Sequence, residues 1–158
     1  MDTKIANSSG LERGFKCRSR SIDFSRLSSI QFNCKADYAN VEDKVLECVN
    51  FLTSTPFDRK NINRSYAESF LAIWISGTPD FSFNIDKTAC KLIKYDLSLL
   101  SIYLAFAAKY ALENRADIKA DSDICRNVFP KVIDYCSNEK NNIKLSDSII
   151  ELLKCKAA

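Results

Sequence analysis

No histidine occurs anywhere in the 158 residues. That absence removes Ser-His-Asp and Cys-His hydrolysis, histidine-ligated zinc and the usual proton shuttle near neutral pH. Glycine is nearly as scarce, with three residues, and neither G-x-G-x-x-G nor a P-loop is present. A glycine-rich phosphate cradle therefore has no candidate. None of the cysteines, at 17, 34, 48, 90, 125, 136 and 155, stands in a C-x-x-C pair, and their odd number cannot be fully bridged within the chain. They read as reduced thiols acting as small core hydrophobes in a reducing compartment, not as a zinc site. Only three prolines join the three glycines, so little chain is spent on turns and the fold is expected to be helical. These exclusions leave no expected cofactor and no expected metal.

Charge is also modest. The net value is +3, too small to imply a polyanionic partner. Residues 1–36 carry a net +4, through Lys4, Arg13, Lys16, Arg18, Arg20, Arg26 and Lys35 against Asp2, Glu12 and Asp23, so residues 37–158 carry −1. The first 36 residues also hold seven serines and show no sustained periodicity. They read as a flexible basic tail without the apolar core of a secretory signal, which by default places the protein in the cytoplasm. A basic tail is the weak case for a nucleic-acid accessory. No aromatic interleaving or fold motif supports that case, and no nucleic-acid partner is expected.

What is abundant is apolar helix. The stretch LSLLSIYLAFAAKYAL, Leu97 to Leu112, has only Ser98, Ser101 and Lys109 as polar residues. A helix here is apolar nearly all round, hence either a membrane span or a central core helix. It falls short of the about 20 apolar residues a span requires, contains a lysine, and is flanked by Asp96 and Glu113. No membrane span is expected. The reading is all-α: one compact bundle of five to six helices, residues 37–158, around a central helix at about 97–113.

Further helices follow from periodicity and caps. One runs from Asn40 to about Thr53, with Val41, Val45, Cys48, Val49 and Leu52 on one face. A second starts within Asn61–Ser65, where Ser65 and Glu68 fit a capping box, and buries Tyr66, Phe70, Ile73 and Trp74. Gly77 stands where a left-handed C′ residue belongs, with Pro79 two residues on. Phe81, Phe83 and Ile85 alternate over a short extended stretch, and Asp86 can cap a helix from Lys87 to Tyr95. Residues 122–136 repeat apolar positions at helical spacing, with Pro130 inside and a kink expected there. Cys125 and Cys136 would lie about 16 Å apart on that helix, too far for a disulfide. A last helix opens at Ser146 or Asp147.

The chemistry left open is carboxylate work. Asp80 and Asp86 bracket Phe81 to Ile85, and such a pair can hydrolyse glycosides at a suitable separation. Caps and turns recruit the same residues without any catalysis. Trp74, Thr78, Phe81 and Phe83 are the companion candidates for a surface or pocket, with Gly77 and Pro79 as structural residues.

The stretch W-x-x-G-T-P-D-[FY]-x-F, present as Trp74 to Phe83, resembles a family of uncharacterised all-helical proteins of Bacteroidota. The likeness continues through Leu99–Asn114, Asp134-Tyr135-Cys136 and Asn141-Asn142-Ile143-Lys144, and spans roughly residues 45–150. It implies an all-helical domain and an envelope or secreted location, and it brings no activity. Residues 1–36 lie outside it. The expected function is a helical binding or scaffold module without catalysis, with a protein as its partner. A carboxylate hydrolase using Asp80 and Asp86 is the alternative.

Overall fold

The apolar run becomes α5 (Ser98–Glu113), and eight of its sixteen residues are buried. The large ones all fall on one flank. Leu99, Ile102, Tyr103 and Phe106, with Ala107 and Ala111, belong to one apolar cluster, while Ala105 and Ala108 belong to a second. The alanine side lets neighbouring helices come close, and the bulky side fills the space on the opposite flank. Lys109 leaves the core along its aliphatic stem and meets Glu113 at 2.7 Å and the amide oxygen of Asn50.

A computed structural model describes residues 22–85 and 87–157. Among them are seven α-helices and no strand. On the alanine side of α5 lie α2 (Glu42–Ser54) and α3 (Ile62–Gly77), which bury Val45, Cys48, Val49, Leu52, Ala67, Phe70, Leu71 and Trp74. On its bulky side lie α4 (Lys87–Tyr95), α6 (Asp121–Ser137) and α7 (Asp147–Ala157), contributing Ala89, Val128, Phe129, Val132 and Leu153 among others. Phe81 and Phe83, half-buried in the extended stretch after α3, pack against both clusters. Ile85 remains 46% exposed.

The seventh helix is α1 (Lys35–Asn40), within the expected tail and at its boundary. Asp37 accepts the backbone N–H groups of Asn33 at 2.7 Å and Cys34 at 2.9 Å, which satisfies two donors at the helix start. The bond from Cys34, then that from Asn33, holds its carboxyl below the usual range. The expected flexible tail falls outside the described residues over 1–21. Over 22–36 the chain packs on the bundle: Phe24 is 3% exposed and meets Phe51 edge-on, and Phe32 stacks on Tyr38 at 4.5 Å. These aromatics are spaced too irregularly to register as a helix face, yet each finds a hydrophobic site.

Other boundaries shifted for local reasons. The cap of α3 is Asn61, whose side chain accepts from the N–H groups of Asn63 and Arg64, so Ser65 and Glu68 form no capping box. Ile73 is 55% exposed, and the buried stripe runs instead through Arg64, Ala67, Phe70, Leu71 and Trp74. Asp96 does cap α5, accepting from Ser98 N at 2.8 Å. α6 continues unbroken past Pro130, which lies on its exposed side. There the carbonyl left without an N–H partner can turn to water.

Gly77 corrects the expectation of a left-handed residue. No glycine has positive φ among the described residues, and Gly77 is the last residue of α3, with Thr78 as the cap. The reason for glycine is proximity. A β-carbon built at Gly77 would lie 2.0 Å from the Tyr38 hydroxyl and 2.4 Å from its Cζ. Tyr38 cannot yield freely, since its ring stacks on Phe32 and its carbonyl accepts from Trp74 Nε1 at 3.1 Å. Gly77→Ala is therefore expected to destabilise by about 1 kcal/mol, from overpacking offset by helix propensity. In a Tyr38→Ala background the same change should become neutral or stabilising. Urea midpoints of the four proteins in the cycle measure this, and an unchanged sign would refute the contact as the cause.

Candidate functional site

The corner singled out from the sequence closes the core. Trp74 is fully buried, with Phe81 and Phe83 each 6.1 Å from its ring centre. The half-buried Thr78 donates its N–H to Trp74 O at 2.9 Å, and Pro79 follows as an exposed turn residue. Asp80 lies 3.3 Å from Arg115, whose guanidinium also meets Glu42 and covers the Phe81 ring at 4.8 Å. This carboxylate is engaged in a clasp that pins the 78–83 turn to α2 and to the end of α5. Asp86, its expected companion, lies outside the described residues.

A larger concave feature than the others described lies between α3 and α5. It encloses about 570 Å³, within the range of ligand sites. One wall is small: Ser65, Ser69 and Ala72 follow each other at i, i+4 and i+7 on α3. The other is apolar: Leu97, Leu100 and Leu104 stand at i, i+3 and i+7 along α5. Leu97, at the rim, is 70% exposed. Such a leucine loses nothing if it is covered by a second molecule and gains by leaving water.

At the closed end sits Arg64, 3% exposed. Its NH2 donates to Leu52 O at 3.0 Å, to Thr55 O at 3.4 Å and to the Tyr135 hydroxyl at 2.9 Å. The guanidinium thereby satisfies carbonyls that the end of α2 leaves without helical partners. Its NH1 meets Glu68 Oε1 at 3.3 Å, and its face lies over Phe57 at 5.0 Å. Tyr135 passes its own proton to Thr55 O at 2.9 Å. Burial pushes the Tyr135 phenol up, against the lowering effect of Arg64. Buried Asn141 completes the arrangement, donating to Tyr135 O at 2.6 Å and accepting from Phe57 N at 2.9 Å.

Two remote parts of the chain, 52–68 and 135–141, are thus joined at this cation and the amide beside it. The sequence carried a signal for it. Arg64, Ala67, Leu71 and Trp74 fall at i, i+3, i+7 and i+10, so an arginine stands on the apolar face and must find partners when buried. Glu68 projects from this network into the groove. Its Oε1 accepts from Arg64 and from Ser101 Oγ at 3.0 Å, and its side chain is 29% exposed. Arg59 and Asp96 form an ion pair on the outer rim at 2.9 Å. Burial pushes the Asp96 carboxyl up, but the bond from Ser98 and the charge of Arg59 outweigh it and leave it below the usual range.

Among the described residues no group of three or more Cys, Asp or Glu is gathered as a metal cluster would be, and no helix is long and apolar enough to cross a membrane. Compared with family models, curated proteins and solved structures, the chain matches none of them.

Two expectations follow. Arg64→Met should lower unfolding stability by about 3 kcal/mol, because carbonyls and a phenol buried with the guanidinium lose their donor. Tyr135→Phe should cost about 1 kcal/mol, and the two effects should be strongly non-additive in urea denaturation.

The second concerns thiols. Burial pushes Cys48 and Cys136 up to about 12. The folded state holds these protons more tightly than the unfolded one. The resulting stabilisation is complete below about pH 9 and is lost as pH rises toward 12. At pH 8 a disulfide reagent should label exposed Cys34, Cys90 and Cys155 readily. Cys48 and Cys136 should react only as the protein unfolds, since thiolate is the attacking form. Fast native labelling of either would contradict their burial.

Proposed function

We propose that this chain is a protein-binding helical module without catalysis, and that the α3–α5 groove is its binding face. The observation that supports this most is the pairing of two rows at helical spacing, small on α3 and apolar on α5, with Leu97 left 70% exposed at the rim. A groove of that form is the kind that accepts an amphipathic helix, since small residues admit its backbone and leucines grip its apolar stripe. The carboxylate-hydrolase alternative draws no support from Asp80, which is committed to Arg115. The motif resemblance to helical Bacteroidota proteins fits a module of this size and adds no activity. The proposed location is the cytoplasm by default, with the envelope or secreted location that the resemblance implies as the alternative.

The test compares the full chain with Leu100→Asp and with Lys154→Glu, a control on the exposed side of α7. Any partner isolated with the wild-type chain is purified and its Kd measured against all three. Affinity should fall by at least about tenfold with Leu100→Asp, the effect of placing a charge in an apolar contact. It should hold with Lys154→Glu. Equal binding to Leu100→Asp would overturn the groove as the binding face.

A further inference from the structure

Among the charged residues described in the groove, one carboxylate keeps an oxygen that accepts no hydrogen bond, and its placement limits what occupies it. Four charged residues line it: Arg59, Arg64, Glu68 and Asp96. Arg59 and Asp96 neutralise each other at the outer rim. Arg64 is 3% exposed, and its donors are spent on Leu52, Thr55, Tyr135 and Glu68, so it offers nothing to a ligand. Glu68 is different. Both of its hydrogen bonds land on Oε1, and Oε2 meets no donor among the described residues. An ionised carboxylate is acceptor-only and has capacity for about four hydrogen bonds. Arg64 at 3.3 Å and Ser101, whose hydroxyl also reaches Ser98 O at 2.9 Å, hold Oε1 on the inner side.

We propose that the occupant is an amphipathic helix of a partner protein carrying one lysine or arginine on its apolar side, with that cation seated against Glu68. The proposal rests on the groove being the binding face and names what that face selects. The apolar row from Leu97 to Leu104 spans seven residues, about 10 Å, so two to three helical turns of the partner fill it. A cation within that length meets Oε2 in a partly desolvated setting, where a charge-assisted bond is stronger than in water. An acidic helix is rejected by the same carboxylate, and a purely apolar one leaves Oε2 covered without a donor.

Random 14-residue peptides displayed on phage are selected on the immobilised full-length chain. The enriched peptides are synthesised with a fluorophore and measured by anisotropy. Expected are apolar residues at i, i+3 or i+4, and i+7, together with one lysine or arginine. Binding should fall about tenfold or more with Glu68→Gln. Replacing the peptide's cation by methionine should give a similar loss on the wild-type chain and little further loss on Glu68→Gln. The peptide-side change keeps the test valid if Glu68→Gln disturbs Arg64. No coupling between cation and Glu68, with binding still abolished by Leu100→Asp, would overturn the cation while leaving the groove reading intact. Peptides indifferent to Leu100→Asp, or no enrichment at all, would overturn both. A dimer that Leu100→Asp dissociates would identify the occupant as a second copy. Carbodiimide cross-linking of Glu68 to Lys4 or Lys16 within one chain would identify it as the protein's own first residues. Either result would overturn the external partner.

Discussion

A helix that is apolar nearly all round can be stable in water only if other elements cover most of it, and α5 imposes this requirement on the whole chain. Two groups of helices meet most of the demand, one on each flank, and each builds its own cluster against α5, leaving the α3–α5 groove open. Ala105 and Ala108 contribute little volume to the second cluster, so α2 and α3 supply the bulk there with Trp74, Phe70 and Leu71. Tyr103 and Phe106 are themselves the bulk on the other flank. There α6 answers with Phe129, stacked 5.5 Å from Tyr103, and Tyr135, edge-on at 6.0 Å from Phe106. The remaining gap is closed by an extended stretch, because Phe81 and Phe83 can reach both clusters from one edge.

Covering α5 from two sides creates a joint between the two groups, and the joint is polar. Arg64 belongs to the first group and Tyr135 to the second, and their hydrogen bond crosses from one to the other. A buried ion network of this type is weak evidence for stability, since desolvation offsets much of its attraction. Its value lies in direction. Hydrophobic contacts tolerate sliding, whereas a guanidinium fork that must meet Leu52 O, Thr55 O and Tyr135 together admits a single arrangement. Asn141 adds a fixed register between the 55–57 turn and the end of α6. The same network orients Glu68, so the geometry of the groove depends on the joint behind it.

The central helix and the all-helical class were legible because each is written in local pattern: an apolar run and few turn residues. What was not legible depended on distance in the chain. Gly77 carried the local signature of a left-handed terminus, yet its cause is Tyr38, thirty-nine positions earlier. Ser65 and Glu68 matched a capping box, but Asn61 competes for the same donors and wins by position, while Glu68 is drawn to Arg64 and Ser101. The packing of Phe24 and Phe32 followed no period at all. Of the site, Trp74 to Phe83 was visible as a motif and proved to be a core closure. Nothing in it announces the groove, whose two walls come from helices separated by twenty residues.

The contrast between motif and groove has a physical basis. A run such as W-x-x-G-T-P-D-F-x-F is conspicuous because it combines aromatics with turn residues, and those residues serve a chain that must leave a helix and fold back over its own core. Tyr135 and Asn141 lie in the other conspicuous stretches and also hold elements together. Residues proposed to bind a partner face a different demand: in the free protein they must be tolerated in water. Ser65, Ser69, Ala72 and Leu100 meet it by being ordinary, so no local pattern marks them. The exception is Glu68, a carboxylate that meets a buried arginine and a serine through one oxygen and leaves the other unengaged. Covering such an oxygen with anything but a donor is costly. The proposed selectivity of the groove therefore rests on this one residue, and its proposed capacity on the two rows beside it.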